Sequence, residues 1–281
     1  MTQVPDPEFF FLRRDIGQRL CVHHAPAVGV APAPAALVFV HAFAEEMNKS
    51  RRMVSLQCRA LATAGCAVFQ IDLLGCGDSS GLLSDADWSS WVADVQAGAD
   101  WLVSVYPGVP LWLWGHRAGA LLAAEVAAKR PSPAHLLLWQ PLLAGKTQVQ
   151  QFLRLKAAAG IGDGGNASAA MAAMRTALEA GQVIEVAGYP LTGTLVAGLE
   201  SAALKQPREG GKVRWLEVST RPEPGMSPAS DKTVTAWRAV GLDVQTSALA
   251  GPAFWQSSEI ETAPALLRAT VDQLLGQALA A

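Results

Sequence analysis

Short apolar runs alternate along this chain with stretches whose apolar residues recur every three or four positions, a pattern of strands each followed by a helix. Glu8–Arg13 and Arg19–His23 predict an opening antiparallel pair joined near Gly17. Ala27–Ala36, rich in Pro, Ala and Gly, reads as a loop before a buried strand at Ala36–Val40. Met53, Leu56, Ala60 and Leu61 predict a helix over Arg51–Ala64, followed by a strand at Cys66–Ile71. Asp85–Val105 predicts a long helix with Trp88, Trp91, Val95 and Leu102 on or near one face, where aromatic side chains belong to a core. A strand from Leu111 leads into an apolar helix at Ala118–Ala128, and His135–Gln140 is the next strand. Val213–Val218 and Leu242–Thr246 read as the last two strands, with Thr262–Leu279 as a closing helix. Such alternation predicts βαβ units and a mostly parallel sheet flanked by helices.

Between Pro141 and Gly211 the alternation stops. Gln151–Ala159, Ala167–Ala180 and Leu191–Leu204 read as three helices, the first two separated by the glycine-rich stretch Gly160–Asn166. A helical insertion at this point belongs over the carboxyl ends of the strands, where open α/β sheets bind ligands. The expected organisation is therefore a core from residues 1–141 and 212–281, with 142–211 as a helical lid hinged at Gly160–Gly165. No internal repeat interrupts it.

Composition narrows the classes without changing this picture. Of the 281 residues, 51% are apolar and 16% charged, enough to fill a core and unlike a disordered chain. With 22 basic against 24 acidic residues the formal net charge is −2, so no long-range field draws the chain to nucleic acid or an anionic membrane. Cys21, Cys58, Cys66 and Cys76 show neither C-x-x-C pairing nor a histidine cluster, which argues for reduced thiols rather than zinc or disulfides. Met1–Leu20 carries Asp6, Glu8, Arg13, Arg14 and Asp15 where a signal peptide needs an uninterrupted apolar core. The apolar helix at Ala118–Ala128 is about half the length needed to span a bilayer. A cytoplasmic protein without a membrane span is expected. No Walker loop, G-x-G-x-x-G, metal-ligand histidine pair or heptad run occurs, so neither cofactor nor metal is expected.

The most telling motif is Trp114-Gly115-His116-Arg117-Ala118-Gly119. It has the form of a nucleophile elbow, G-x-S-x-G, in which a sharp strand-to-helix turn exposes the central side chain above the sheet. Here that side chain is arginine, which stays protonated, donates hydrogen bonds and cannot attack an acyl carbon. Two further motifs follow buried strands: Val40-His41-Ala42-Phe43 and Asp72-Leu73-Leu74-Gly75-Cys76-Gly77-Asp78-Ser79.

In their order and spacing these three motifs resemble the α/β-hydrolase fold over nearly the whole chain. The first resembles that family's oxyanion-loop H-G dipeptide and the second its D-x-x-G-x-G-x-S loop. A narrower resemblance is to exosortase A system-associated hydrolase 2, a family found with bacterial PEP-CTERM sorting and exopolysaccharide loci. It is carried by Phe43–Met53, Leu113–Gly119, Leu138–Pro141, Gln151–Leu155 and Gly251–Gln256. The resemblance implies a hydrolase of the ester or thioester class, with an acylated-sugar ligand and partners from a polysaccharide or protein-sorting system. The alternative is a non-catalytic scaffold of the same system that uses Arg117 to hold a small anionic ligand.

The wider family places a general-base histidine after the last strand and an acid after the one before it. The five histidines are His23, His24, His41, His116 and His135, none of them in that place. Gly251-Pro252-Ala253-Phe254-Trp255 stands where the histidine is expected, and Glu223 is the nearest acid after Val218. The residue pattern thus predicts a degenerate Ser-His-Asp triad, because nucleophile and base depend on each other for proton transfer.

Two uses of the site remain open. Arg117, beside a helix N-terminus, could cradle a carboxylate, phosphate or sulfate. Alternatively Glu45 or Glu46, just after the oxyanion loop, could pair with Arg117 or with Arg51 and Arg52 and close the site. Asn48 and Gln140, near strand ends, offer neutral groups suited to a sugar or amide. His41, Ala42, Phe43 and Ala118 form the expected oxyanion region. Cys76 and His41 are the remaining candidates for a nucleophile and a base.

Overall fold

The computed structural model describes residues 4–29, 33–159 and 166–276. The opening pair is β1 (Glu8–Arg13) and β2 (Gln18–His24), antiparallel with Phe9 opposite Val22 and Phe11 opposite Leu20. β3 (Ala36–Val40), β4 (Ala67–Ile71), β5 (Leu111–His116), β6 (His135–Trp139), β9 (Lys212–Ser219) and β10 (Asp243–Ala250) run parallel to one another. The eight strands lie in the order β1-β2-β4-β3-β5-β6-β9-β10. β3 and β5 are buried at every position, as interior strands of a sheet covered on both faces must be.

Helices cover the two faces unequally. α1 (Glu45–Thr63) packs with α8 (Pro264–Leu275) over a core that includes Leu37, Phe39, Met53, Trp114 and Trp139. α2 (Trp88–Val105) packs with α3 (Gly119–Lys129) on the opposite face, where α7 (Pro228–Ala239) also buries Val234 and Trp237. This strand order and wrapping are those of the α/β-hydrolase fold, as the sequence predicts.

Between β6 and β9 the chain forms α4 (Gly145–Ala159), α5 (Ala167–Glu179), a hairpin of β7 (Ile184–Val186) and β8 (Tyr189–Leu191), and α6 (Gly193–Ser201). The hairpin is a separate two-stranded sheet, so among the described residues no strand of this insertion enters the central one. Phe152 of α4 meets Phe43 edge-on at 5.1 Å, joining the insertion's apolar side to the main core. The predicted hinge at Gly160–Gly165 lies outside the described residues.

The structure corrects several predicted boundaries. α1 starts six residues before the predicted Arg51, because Glu46 and Ser50 lie on its inward face and hide its apolar period. Ala44 precedes it at φ 51°, and the acidic pair Glu45–Glu46 in its first turn suits the positive end of the helix. The third insertion helix is shorter than Leu191–Leu204 because Tyr189–Leu191 pairs back through Ala187 and Gly188, both at positive φ, in a tight turn. α7 was not predicted from the apolar pattern; Ser227 caps it, Pro228 opens it, and it buries only Ser230, Val234 and Trp237.

Candidate functional site

The elbow is built as its motif requires. Arg117 sits between β5 and α3 at φ 54°, in the left-handed region that a non-glycine residue adopts at a cost. Its N–H donates to Trp139 O at 3.1 Å and its carbonyl accepts from Ala120 N at 3.1 Å, pinning the turn to β6 and α3. A Cβ on Gly115 would collide with Ala120, and one on Gly119 with the Val40 carbonyl. Those two glycines let α3 approach β3 and β5 closely enough to form the turn.

The tip points into a closed cluster. Arg117 Nε and Nη2 donate to Glu46 Oε1 at 3.2 and 3.1 Å, and Nη2 also donates to Gln151 Oε1 of α4 at 3.2 Å. The guanidinium carbon lies 5.6 Å from the ring centroid of Trp255, which comes from the segment after β10. Arg117 and Glu46 are each only 7% exposed, so the pair is drawn out of water on both sides. Burial pushes the Glu46 carboxyl above its ordinary value, and the Arg117 charge pulls it back only part of the way. Glu45, the other candidate partner, faces Lys49 at 3.6 Å instead.

The oxyanion region is correspondingly tight. The cavity bordered by Ala42, Phe43, Ala118 and Gly119 has a volume of about 10 Å³, room for roughly one water. His41 places Nδ1 2.8 Å from Ala42 O and Nε2 3.4 Å from Leu73 N, so a neutral ring donating through Nδ1 and accepting through Nε2 uses both nitrogens. Burial lowers its pKa and keeps the ring neutral, and the one basic lone pair, on Nε2, faces the Leu73 N–H rather than a substrate.

Cys76 lines the same cavity, yet burial and the nearby charges of Asp72 and Asp94 push its thiol up to about 12. Neither His41 nor Cys76 is therefore set up for the catalytic role for which it was a candidate. His116, next to the tip, is wholly buried, and burial together with Arg117 lowers it to about 3. It contacts Ser50 Oγ at 3.1 Å and Trp139 O at 3.2 Å.

The other candidates separate from Arg117. Asn48 donates to the Tyr189 hydroxyl at 2.9 Å and accepts from Arg51 Nε at 3.3 Å, linking α1 to the insertion hairpin. Arg51 turns toward Asp72 at 3.8 Å rather than toward either glutamate. Arg52 is exposed. Gln140, at φ 43°, accepts from Val218 N at 2.8 Å and so ties β6 to β9 instead of facing the tip. Glu223 is exposed.

Gln151 and Trp255 complete the Arg117 cluster and were not picked out as its members from sequence. Both lie in the unusual stretches Gln151–Leu155 and Gly251–Gln256, which were the only signal available. Among the described residues, no group of three or more His, Cys, Asp or Glu side chains could hold a metal ion, and no helix is long and apolar enough to cross a membrane.

Comparison with known proteins agrees with this architecture. Residues 31–163 match the family model Hydrolase_4 (serine aminopeptidase, S33). Human monoglyceride lipase is 31% identical over 128 residues, 44% of this chain and 41% of the lipase, so the match spans about two fifths of that relative's length. Among solved structures, a thermostable carboxyl esterase from Bacillus coagulans has a TM-score of 0.63 at 15% identity, covering 96% of this chain and 98% of its own. Est1E from Butyrivibrio proteoclasticus has a TM-score of 0.62 at 14% identity, covering 96% of this chain and 98% of its own. At such identities the likeness establishes the fold alone: this is an α/β-hydrolase-fold protein.

Proposed function

We propose that this chain is a non-catalytic relative of the α/β-hydrolases, a pseudo-hydrolase whose former active site is locked and which serves as a binding or scaffold protein. The observation that carries this reading is the buried Arg117–Glu46 pair at the elbow tip, where acyl transfer needs a free nucleophile. Trp255 supports it, since an indole at the tip cannot serve as the general base. Glu46 and Gln151 engage Nε and Nη2 of Arg117, so the guanidinium edge formed by those two nitrogens is already taken by protein groups.

The place of action in this reading is a cytoplasmic part of an exosortase and exopolysaccharide system, with protein partners from that system. The stretches Phe43–Met53, Gln151–Leu155 and Gly251–Gln256 support that assignment by resemblance. The competing reading, hydrolysis of an ester or thioester, draws its support from the partial likeness to monoglyceride lipases.

A fluorophosphonate probe and a panel of short acyl esters and thioesters distinguish the two. The purified protein should be unlabelled and inactive, and Arg117→Ser should remain so because a restored hydroxyl still lacks a base. Stoichiometric labelling of one serine in the unaltered protein, or saturable turnover abolished by that label, would overturn the proposal.

A further inference from the structure

A second cavity, of about 200 Å³, opens on the other side of His41 between α1 and the carboxyl end of β4. It falls below the roughly 300 Å³ at which drug-sized sites begin, and suits a molecule of monosaccharide size. Phe39, Val54 and Ile71 supply apolar wall, while Arg51, Ser55 and Asp72 supply polar groups.

Those polar groups are incompletely used. Arg51 is bound through Nε to Asn48, and its only contact with Asp72 is a 3.8 Å approach of Nη2. Asp72 accepts from Asp78 N through Oδ2 at 3.3 Å, and the backbone of Gly77 leans on the same carboxylate so closely that a Cβ there would collide with it. Among the described residues the Ser55 hydroxyl makes no hydrogen bond, and neither do Arg51 Nη1 or Asp72 Oδ1. The charged groups bordering the cavity are thus one guanidinium and one carboxylate, with His41 held neutral by burial.

We infer that this cavity is a binding site for a small neutral polyhydroxylated ligand of the monosaccharide class. A ligand with net charge would meet a like charge within about 4 Å of the opposite one, gaining from one group what it loses to the other. An acyl chain would strip water from Arg51 and Asp72 and return no hydrogen bonds. A pyranose instead offers hydroxyls that donate to Asp72 and accept from Arg51 and Ser55, and C–H faces that lie against Phe39 and Val54. The site lies apart from the Arg117 cluster and does not depend on whether the elbow is catalytic.

Amide chemical-shift mapping on the intact, isotope-labelled protein tests the assignment, with D-glucose and N-acetyl-D-glucosamine as probes. Glucuronate and glucosamine serve as the anionic and cationic controls. A neutral sugar should cause saturable shifts centred on Ser50–Ser55 and Gln70–Asp72, with a dissociation constant in the millimolar range or tighter. Arg51→Ala, at a side chain 51% exposed, should keep the fold and weaken binding about tenfold or more. Ser55→Leu, which fills the cavity, should abolish it, with an unchanged unfolding midpoint as the control for folding. Shifts absent for both neutral sugars, spread over the surface, or unaffected by Arg51→Ala would overturn the inference. So would tighter binding of glucuronate or glucosamine than of the neutral sugars.

Discussion

Arg117→Met removes the guanidinium while keeping an unbranched apolar side chain beside Trp255. Glu46, 7% exposed, is then left without its cation. Breaking a buried pair in this way costs roughly 3–5 kcal/mol when the orphaned charge must remain ionised. Glu46 has an escape, because burial already raises its pKa and the variant removes the charge that opposed that rise. Taking up a proton caps the electrostatic cost at about 1.36 kcal/mol per unit of pH above its ordinary 4.5. The cap is about 3 kcal/mol at pH 7 and about 0.7 kcal/mol at pH 5.

The sign follows from linkage: a carboxyl with a raised folded-state pKa binds more protons folded than unfolded, so its stabilising contribution is full below 4.5 and fades as pH rises through the folded value. The variant should therefore be much less stable than the parent at pH 7 and nearly as stable at pH 5. Urea unfolding followed by the fluorescence of the nine tryptophans measures both. Adding Glu46→Gln to Arg117→Met should recover most of the loss at pH 7. Equal destabilisation at the two pH values, or none at pH 7, would refute the account of the pair.

Two other regions give independent tests. Asp94, 1% exposed, holds Arg19 Nε at 2.6 Å and the Leu74 N–H at 2.9 Å, so Asp94→Ala should cost roughly 3–5 kcal/mol in urea unfolding. Arg14→Ala, which loses a 3.4 Å contact with the same carboxylate and a hydrogen bond to Ala93 O at the protein surface, should cost under about 1 kcal/mol, and equal losses would contradict the ranking. α5, which buries only Met174 and Leu178, should exchange its amide hydrogens well before β3 and β5. Uniform protection across these elements, read by mass spectrometry, would deny the insertion a looser stability than the core.

The central strands were legible because a strand covered on both faces must be apolar throughout. Ala36–Val40 and the strand from Leu111 could hardly be anything else. Elements that bury little left weaker marks: β7 and β8 have three residues each, and α7 hides two large side chains. The first turn and a half of α1 leaves no apolar mark for another reason, since Glu46 and Ser50 occupy inward positions to meet Arg117 and His116.

An arginine at the elbow tip, and the lack of a histidine after His135, are properties of the sequence alone. They limit the chemistry whatever the packing, because a guanidinium is not a nucleophile. What Arg117 does is a property of the tertiary structure. Glu45 and Glu46 are adjacent in sequence but about 100° apart around the helix, so only the docked orientation of α1 decides which one faces the tip. Glu46 and Gln151 stand 71 and 34 residues away from Arg117, and Trp255 arrives from beyond the last strand. No local pattern encodes contacts at such separations; they exist because the sheet brings the ends of β3, β5, β6 and β10 to one edge.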